Sequence, residues 1–110
     1  MHQTMRHKPF LYKEERMLLQ VNYLVRSRTD GKYLVARVPT DSGGDASYLL
    51  VFQQDYDALS YINTHGKEYR DRLTVETASP TQLKSLMSRW GYKGFGIVKD
   101  PLVPDIQFVS

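Results

Sequence analysis

The sequence predicts an α+β domain, a two-layer α/β sandwich in which a mixed sheet carries both helices on one face. Three stretches predict it. Asp30-Gly31 stands between two runs of alternating residues, which is a hairpin signature. Tyr48-Leu49-Leu50-Val51-Phe52 is apolar on both strand faces, as a central strand requires. Ser79-Pro80-Thr81-Gln82 opens an amphipathic helix that Gly91 closes. The expected order is a β-hairpin followed by β-α-β-α-β and a short final strand.

Residues 1–16 show no sustained period and are expected to form an N-terminal extension to a single domain over 17–110. The extension ends just before Met17, which raises the expectation that part of it lies upstream of the native start. Its Phe10, Leu11 and Tyr12 are available to dock on the body. Val21, Tyr23 and Val25 then alternate with Asn22, Leu24 and Arg26 as a strand. A two-residue type I′ turn at Asp30-Gly31 would return the chain through Lys32–Val38 to Pro39. In that register Arg28 lies opposite Tyr33, Arg26 opposite Val35, and Leu24 opposite Arg37. One face (Val21, Tyr23, Val25, Leu34, Ala36, Val38) is expected to meet the core. The other (Leu24, Arg26, Arg28, Tyr33, Val35, Arg37) is expected to stay open.

Thr40–Asp45 has loop composition. After the central strand, Asp55 or Asp57 is placed to cap a helix whose buried side carries Tyr56, Leu59 and Ile62, ending at Gly66. Leu73–Thr77 alternates as a strand. Leu83, Leu86, Met87 and Trp90 recur at i, i+3, i+4 and i+7, a helical stripe. Phe95–Lys99 reads as a strand, and Ile106–Val109 as a short edge strand beyond Pro101 and Pro104.

A chain of 110 residues with 41% apolar and 25% charged side chains suits one soluble globular domain with one modest core. It has no cysteine, which excludes disulfides and thiolate metal sites and points to a cytoplasmic setting. No membrane span is expected, because the longest apolar run is Tyr48–Phe52. The formal charge of +3 is of the sign that nucleic acid attracts, but it is spread unevenly. Arg6, Lys8, Lys13 and Arg16 against Glu14 and Glu15 place +2 in the extension, and the other 94 residues carry eleven basic and ten acidic side chains. That distribution argues against phosphate binding by the domain as a whole.

Lys93-Gly94-Phe95-Gly96-Ile97-Val98-Lys99-Asp100 approaches the stacking strand of RNA-recognition motifs. Under that alternative Phe95 would stack on bases while Arg89, Lys93 and Lys99 met phosphates. Ile97 stands where the second aromatic belongs, and Asp100 stands where a third belongs. The glycines also follow a helix rather than precede one, so they face its carbonyl end and do not form a phosphate loop. The favoured reading is a buried strand with Phe95 and Ile97 on one face and Val98 on the other.

His65 is the single histidine beyond the extension, with Asn63 and Thr64 beside it. No nucleophile and orienting carboxylate accompany it in a recognisable set, so catalysis by His65 is the least supported reading and no cofactor is expected. No paired spacing of His, Asp and Glu suggests a metal site. The open hairpin face with Arg26, Arg28, Arg37, Tyr33, Leu24 and Val35 is the stronger candidate, since Arg and Tyr are favoured at interface hot spots. The competing reading is that the arginine stems only blanket the apolar surface.

From Ser47–Phe52 through the two helices to Gly94–Pro101, about half the chain resembles the SseB-type N-terminal domain. The matching positions are Val51, Phe52, Gly96, Val98 and Pro101. The chain departs from that pattern in its Asp-Gly hairpin and in Asp100-Pro101. It also looks like small uncharacterised bacterial proteins. The resemblance implies a compact accessory or interaction domain and no catalytic residue. The expected function is therefore non-enzymatic: binding of a protein partner, or of a second copy, through the hairpin face.

Overall fold

A computed structural model describes residues 20–110. The expectations for residues 1–16, Met17 and Leu18 lie outside the described residues. The elements are β1 (Asn22–Ser27), β2 (Val35–Pro39), β3 (Asp45–Phe52), α1 (Asp55–His65), a 3-10 helix (Lys67–Arg72), β4 (Leu73–Ala78), α2 (Pro80–Trp90), β5 (Gly94–Asp100) and β6 (Asp105–Val109). They build a mixed six-stranded sheet in the order β4-β1-β3-β5-β6, with β2 pairing β3 beside β1. β3 is central as its apolar run requires: Leu49, Leu50, Val51 and Phe52 are all buried. Each such side chain contributes about 1.5–3 kcal/mol through removal from water.

The expectation that both helices share one face is corrected. Leu83, with Leu86 and Met87 of α2, packs on Leu24, Leu49, Val51, Phe95 and Ile97. Ala58 and Ile62 of α1 pack on Val25, Leu50, Phe52 and Val98. Neighbouring strand residues point to opposite faces, so the helices sandwich the sheet between them. Chain handedness is the reason. β3 and β5 are parallel, and β1 runs antiparallel to both β3 and β4, so β3, β4 and β5 share one direction. The chain steps from β3 outward to β4 through α1, then back past β3 to β5 through α2. Right-handed crossovers made in opposite directions must use opposite faces.

The hairpin is also corrected. Its single bridge pairs Arg26, not Arg28, with Tyr33. Ser27 N–H donates to the Lys32 carbonyl, and Gly31 N–H donates to the Ser27 carbonyl, which closes a longer loop than a two-residue turn. Gly31 takes φ 72°, but Asp30 keeps negative φ, and its carboxylate accepts from Lys32 N–H at 3.0 Å. That bond holds the Asp30 carboxyl below its ordinary pKa. Leu34 N–H donates to Val25, while its carbonyl accepts from Leu50. At Leu34 the chain therefore changes partners, and β2 pairs with β3 instead of β1.

α1 turns differently from its expected stripe. Ala58 and Ile62 face inward, while Tyr56 and Leu59 are exposed. Its N-cap is Gln54 without a side-chain bond, and Asp55 and Asp57 fall in the first turn, where negative charge suits the helix dipole. Val21, expected in the core, is exposed. α2 forms as its sequence requires. Gln82 N–H donates to Ser79 Oγ at 3.2 Å, Ser79 N–H donates to Gln82 Oε1 at 2.7 Å, and Gly91 closes the helix at φ 68°.

Candidate binding groove beside β2

β2 and the first half of β3 form the floor of an open groove of about 760 Å³. The segment that follows α2 makes one wall. Tyr33, Val35 and Arg37 project from β2 and its approach, Ser47 and Asp45 from β3, and Trp90, Tyr92 and Lys93 from the wall. The groove exists because α2 stops at Gly91 and leaves the β2 end of its sheet face uncovered. Trp90, the chain's single tryptophan, is 42% exposed there.

Tyr33 is held by a small polar cluster. Its hydroxyl donates to Glu76 Oε1 at 3.1 Å, and the Arg26 guanidinium carbon lies 5.0 Å from its ring centre. Arg26 reaches Glu76 Oε2 at 3.5 Å and donates from Nε to the Gly31 carbonyl at 2.9 Å. The ion pair is solvent-accessible and adds little stability by itself, so its effect is to fix the ring's orientation. Burial, then the Glu76 carboxylate, raises the Tyr33 pKa. Burial also raises that of Tyr92, with Tyr33 adding to it. Arg26–Glu76 is the one ion pair among the described residues, so Lys32, Arg37 and Lys93 form no ion pair within the described chain.

The groove gathers only part of the expected hairpin face. Tyr33, Val35 and Arg37 line it. Leu24, expected on an open surface, is 1% exposed beneath α2 and is corrected to a core residue. Arg26 is committed to Glu76 and Gly31, and Arg28 sits exposed on the loop with its backbone N–H donating to Arg72.

The stacking-strand set does not assemble. Phe95 is 9% exposed and packs in the core beneath α2, so its ring offers no face to a base. Lys93 belongs to the groove wall, Arg89 is exposed on the last turn of α2, and Lys99 lies along β5, about 20 Å from Lys93 at the usual strand rise. The neighbouring glycines serve packing. A Cβ on Gly94 would overlap the Val109 carbonyl oxygen, and one on Gly96 would fall 2.9 Å from Leu50 Cδ2.

Trp90, Tyr92 and Lys32 belong to the groove but were not expected there. Trp90 completes a helical stripe and so reads as core. The signal for its exposure is its place directly before the Gly91 cap, where the helix no longer covers the sheet.

His65 Nε2 lies 2.9 Å from the Pro101 carbonyl, and its ring sits 4.8 Å from that of Tyr61. It ties α1 to the turn after β5. No cluster of three or more His, Asp or Glu fit to hold a metal occurs among the described residues, and no described helix is long and apolar enough to cross a membrane.

Val51, Phe52, Gly96 and Val98, which carry the SseB-like pattern, are buried on β3 and β5, and Pro101 directly follows β5. Comparison with known proteins adds no relative: no family model, no curated protein and no solved structure matches the chain.

Proposed function

We propose that the chain is a non-enzymatic interaction module of the cytoplasm that binds a protein partner through the groove beside β2. One observation carries the reading. Three aromatic rings, Tyr33, Trp90 and Tyr92, line a surface recess together with three cations that make no ion pair within the described chain, Lys32, Arg37 and Lys93. Trp, Tyr and Arg dominate the binding energy of protein interfaces because each combines a large apolar area with a polar tip. The SseB-like pattern favours the same class, an accessory domain whose matching residues are structural.

Photo-crosslinking from the groove tests this. With p-benzoylphenylalanine at position 92 in the native cell, the expected product is a discrete protein adduct that Trp90→Ala and Arg37→Glu each abolish. An adduct containing a second copy of the chain would make the module a homodimer. An adduct to nucleic acid, or a protein adduct that survives both substitutions, would overturn the proposal.

A further inference from the structure

We infer that the groove takes an extended, acidic segment of the partner, added as a strand along the outer edge of β2; this rests on the interaction-module reading. The first support is the edge itself. Among the described residues, β2 pairs only with β3, through Val35 to Leu49 and on to Pro39 with Asp45. The Leu34 carbonyl accepts from Leu50 N–H, so Leu34 and Ala36 turn their peptide groups toward β3. Alternation along an antiparallel ladder then turns the N–H and C=O groups of Val35 and Arg37 outward. An unpaired edge of this kind is a template for an incoming strand.

The second support is charge. The side chains of Val35 and Arg37 point into the groove while their peptide groups face the edge. An added strand would therefore lay every second side chain over the recess. Lys32 and Arg37 at the edge and Lys93 across the floor favour carboxylates there. The carbonyl end of α2 disfavours them beside Trp90, where an apolar side chain fits between the rings instead. The recognised pattern is thus acidic residues alternating with apolar ones. Asp45 at the far end, together with Pro39, which has no N–H, limits the paired stretch to the neighbourhood of Val35–Arg37.

Edge strands are also defended by Arg and Pro against unwanted pairing, and β2 carries both. That defence alone does not account for three aromatic rings lining the recess beside the edge. They are what an invited strand needs and an avoided one does not.

Trp90 is the only tryptophan, so its emission reports occupancy without a label. The probes are short blocked peptides alternating Glu with Val, the same with Lys for Glu, the Glu peptide N-methylated at every second residue, and an oligouridylate. The Glu peptide is expected to shift Trp90 emission, to bind about tenfold or more tightly than the Lys peptide, and to weaken as salt rises. N-methylation and Arg37→Glu are each expected to cost about tenfold. Equal binding of the Lys peptide, or of the N-methylated one, would overturn the inference. Oligouridylate binding more tightly than the Glu peptide would do the same. A partner protein crosslinked from position 92 beside any of these results removes only the strand inference, whereas crosslinks to nucleic acid remove the interaction module itself.

Discussion

Trp90 and Phe95 stand five residues apart, each beside a glycine and close to Lys93, yet one is wet and the other dry. Trp90 ends α2, at the point where the helix runs out over the sheet. Phe95 enters β5, the parallel neighbour of β3, and lies under the same helix. Gly91 turns the chain out of the helix at φ 68°, whereas Gly94 and Gly96 let β6 and Leu50 approach β5 closely. Similar residues therefore serve opposite ends because their neighbours differ. An aromatic next to glycine is a binding feature only where no element covers it, and coverage is a property of element lengths rather than of the local string.

This contrast can be broken most directly at Phe95. Phe95→Ala empties a packed site and is expected to destabilise the fold by about 3–5 kcal/mol, read from the denaturant midpoint. A loss well under 1 kcal/mol would mean that the ring is not core. Gly94→Ala should cost somewhat less, about 3 kcal/mol at most, by pushing Val109 and β6 off the sheet edge. Hydrogen exchange would show this first as lost protection in β5 and β6, and unchanged protection would refute the close approach.

Trp90→Ala sharpens the other side of the comparison. Its expected stability change is within about 1 kcal/mol, because much of the ring already faces water. The same substitution should abolish the crosslink from position 92. The smallest effect is alkaline. The fold raises the pKa of Tyr33 and Tyr92 above the ordinary value of 10.0, so it favours their neutral forms. Their contribution is complete below the unfolded value near 10.0 and is lost as pH rises through the folded values. In absorbance titration against the parent, Tyr33→Phe and Tyr92→Phe should each reduce the late-ionising fraction, in which half-buried Tyr61 remains, and loss of an early fraction instead would contradict the burial.

Local signals were legible wherever chemistry and backbone agree over a few residues. Ser79-Pro80-Thr81-Gln82 specified a capping box, Gly91 a left-handed cap, and the apolar run of Tyr48–Phe52 a strand that is buried on both sides from Leu49 to Phe52. Asp30-Gly31 placed a turn, but the loop closes from Ser27 to Lys32, which moves the partner of Tyr33 by two residues from Arg28 to Arg26. At Leu34, whose N–H and carbonyl bond β1 and β3, the chain changes partner and β2 joins β3. Leu24 illustrates the cost of a wrong layer. On a one-layer cover it would be surface, and with a helix on each face it is core. One side of the groove, Tyr33, Val35 and Arg37, was visible as a strand face, while Trp90 and Tyr92 reached it only through the third dimension.

By itself, then, the sequence determined its strands and helices, the caps of α2, the dryness of β3 and β5, and the Tyr33–Val35–Arg37 side of the groove, because those follow from short-range periods and backbone preferences. Tertiary structure alone decided which face each helix covers, which strand β2 joins, and that Trp90 meets Tyr33 across open space. Those depend on the direction in which right-handed crossovers travel and on where α2 stops, and no local window of residues contains either.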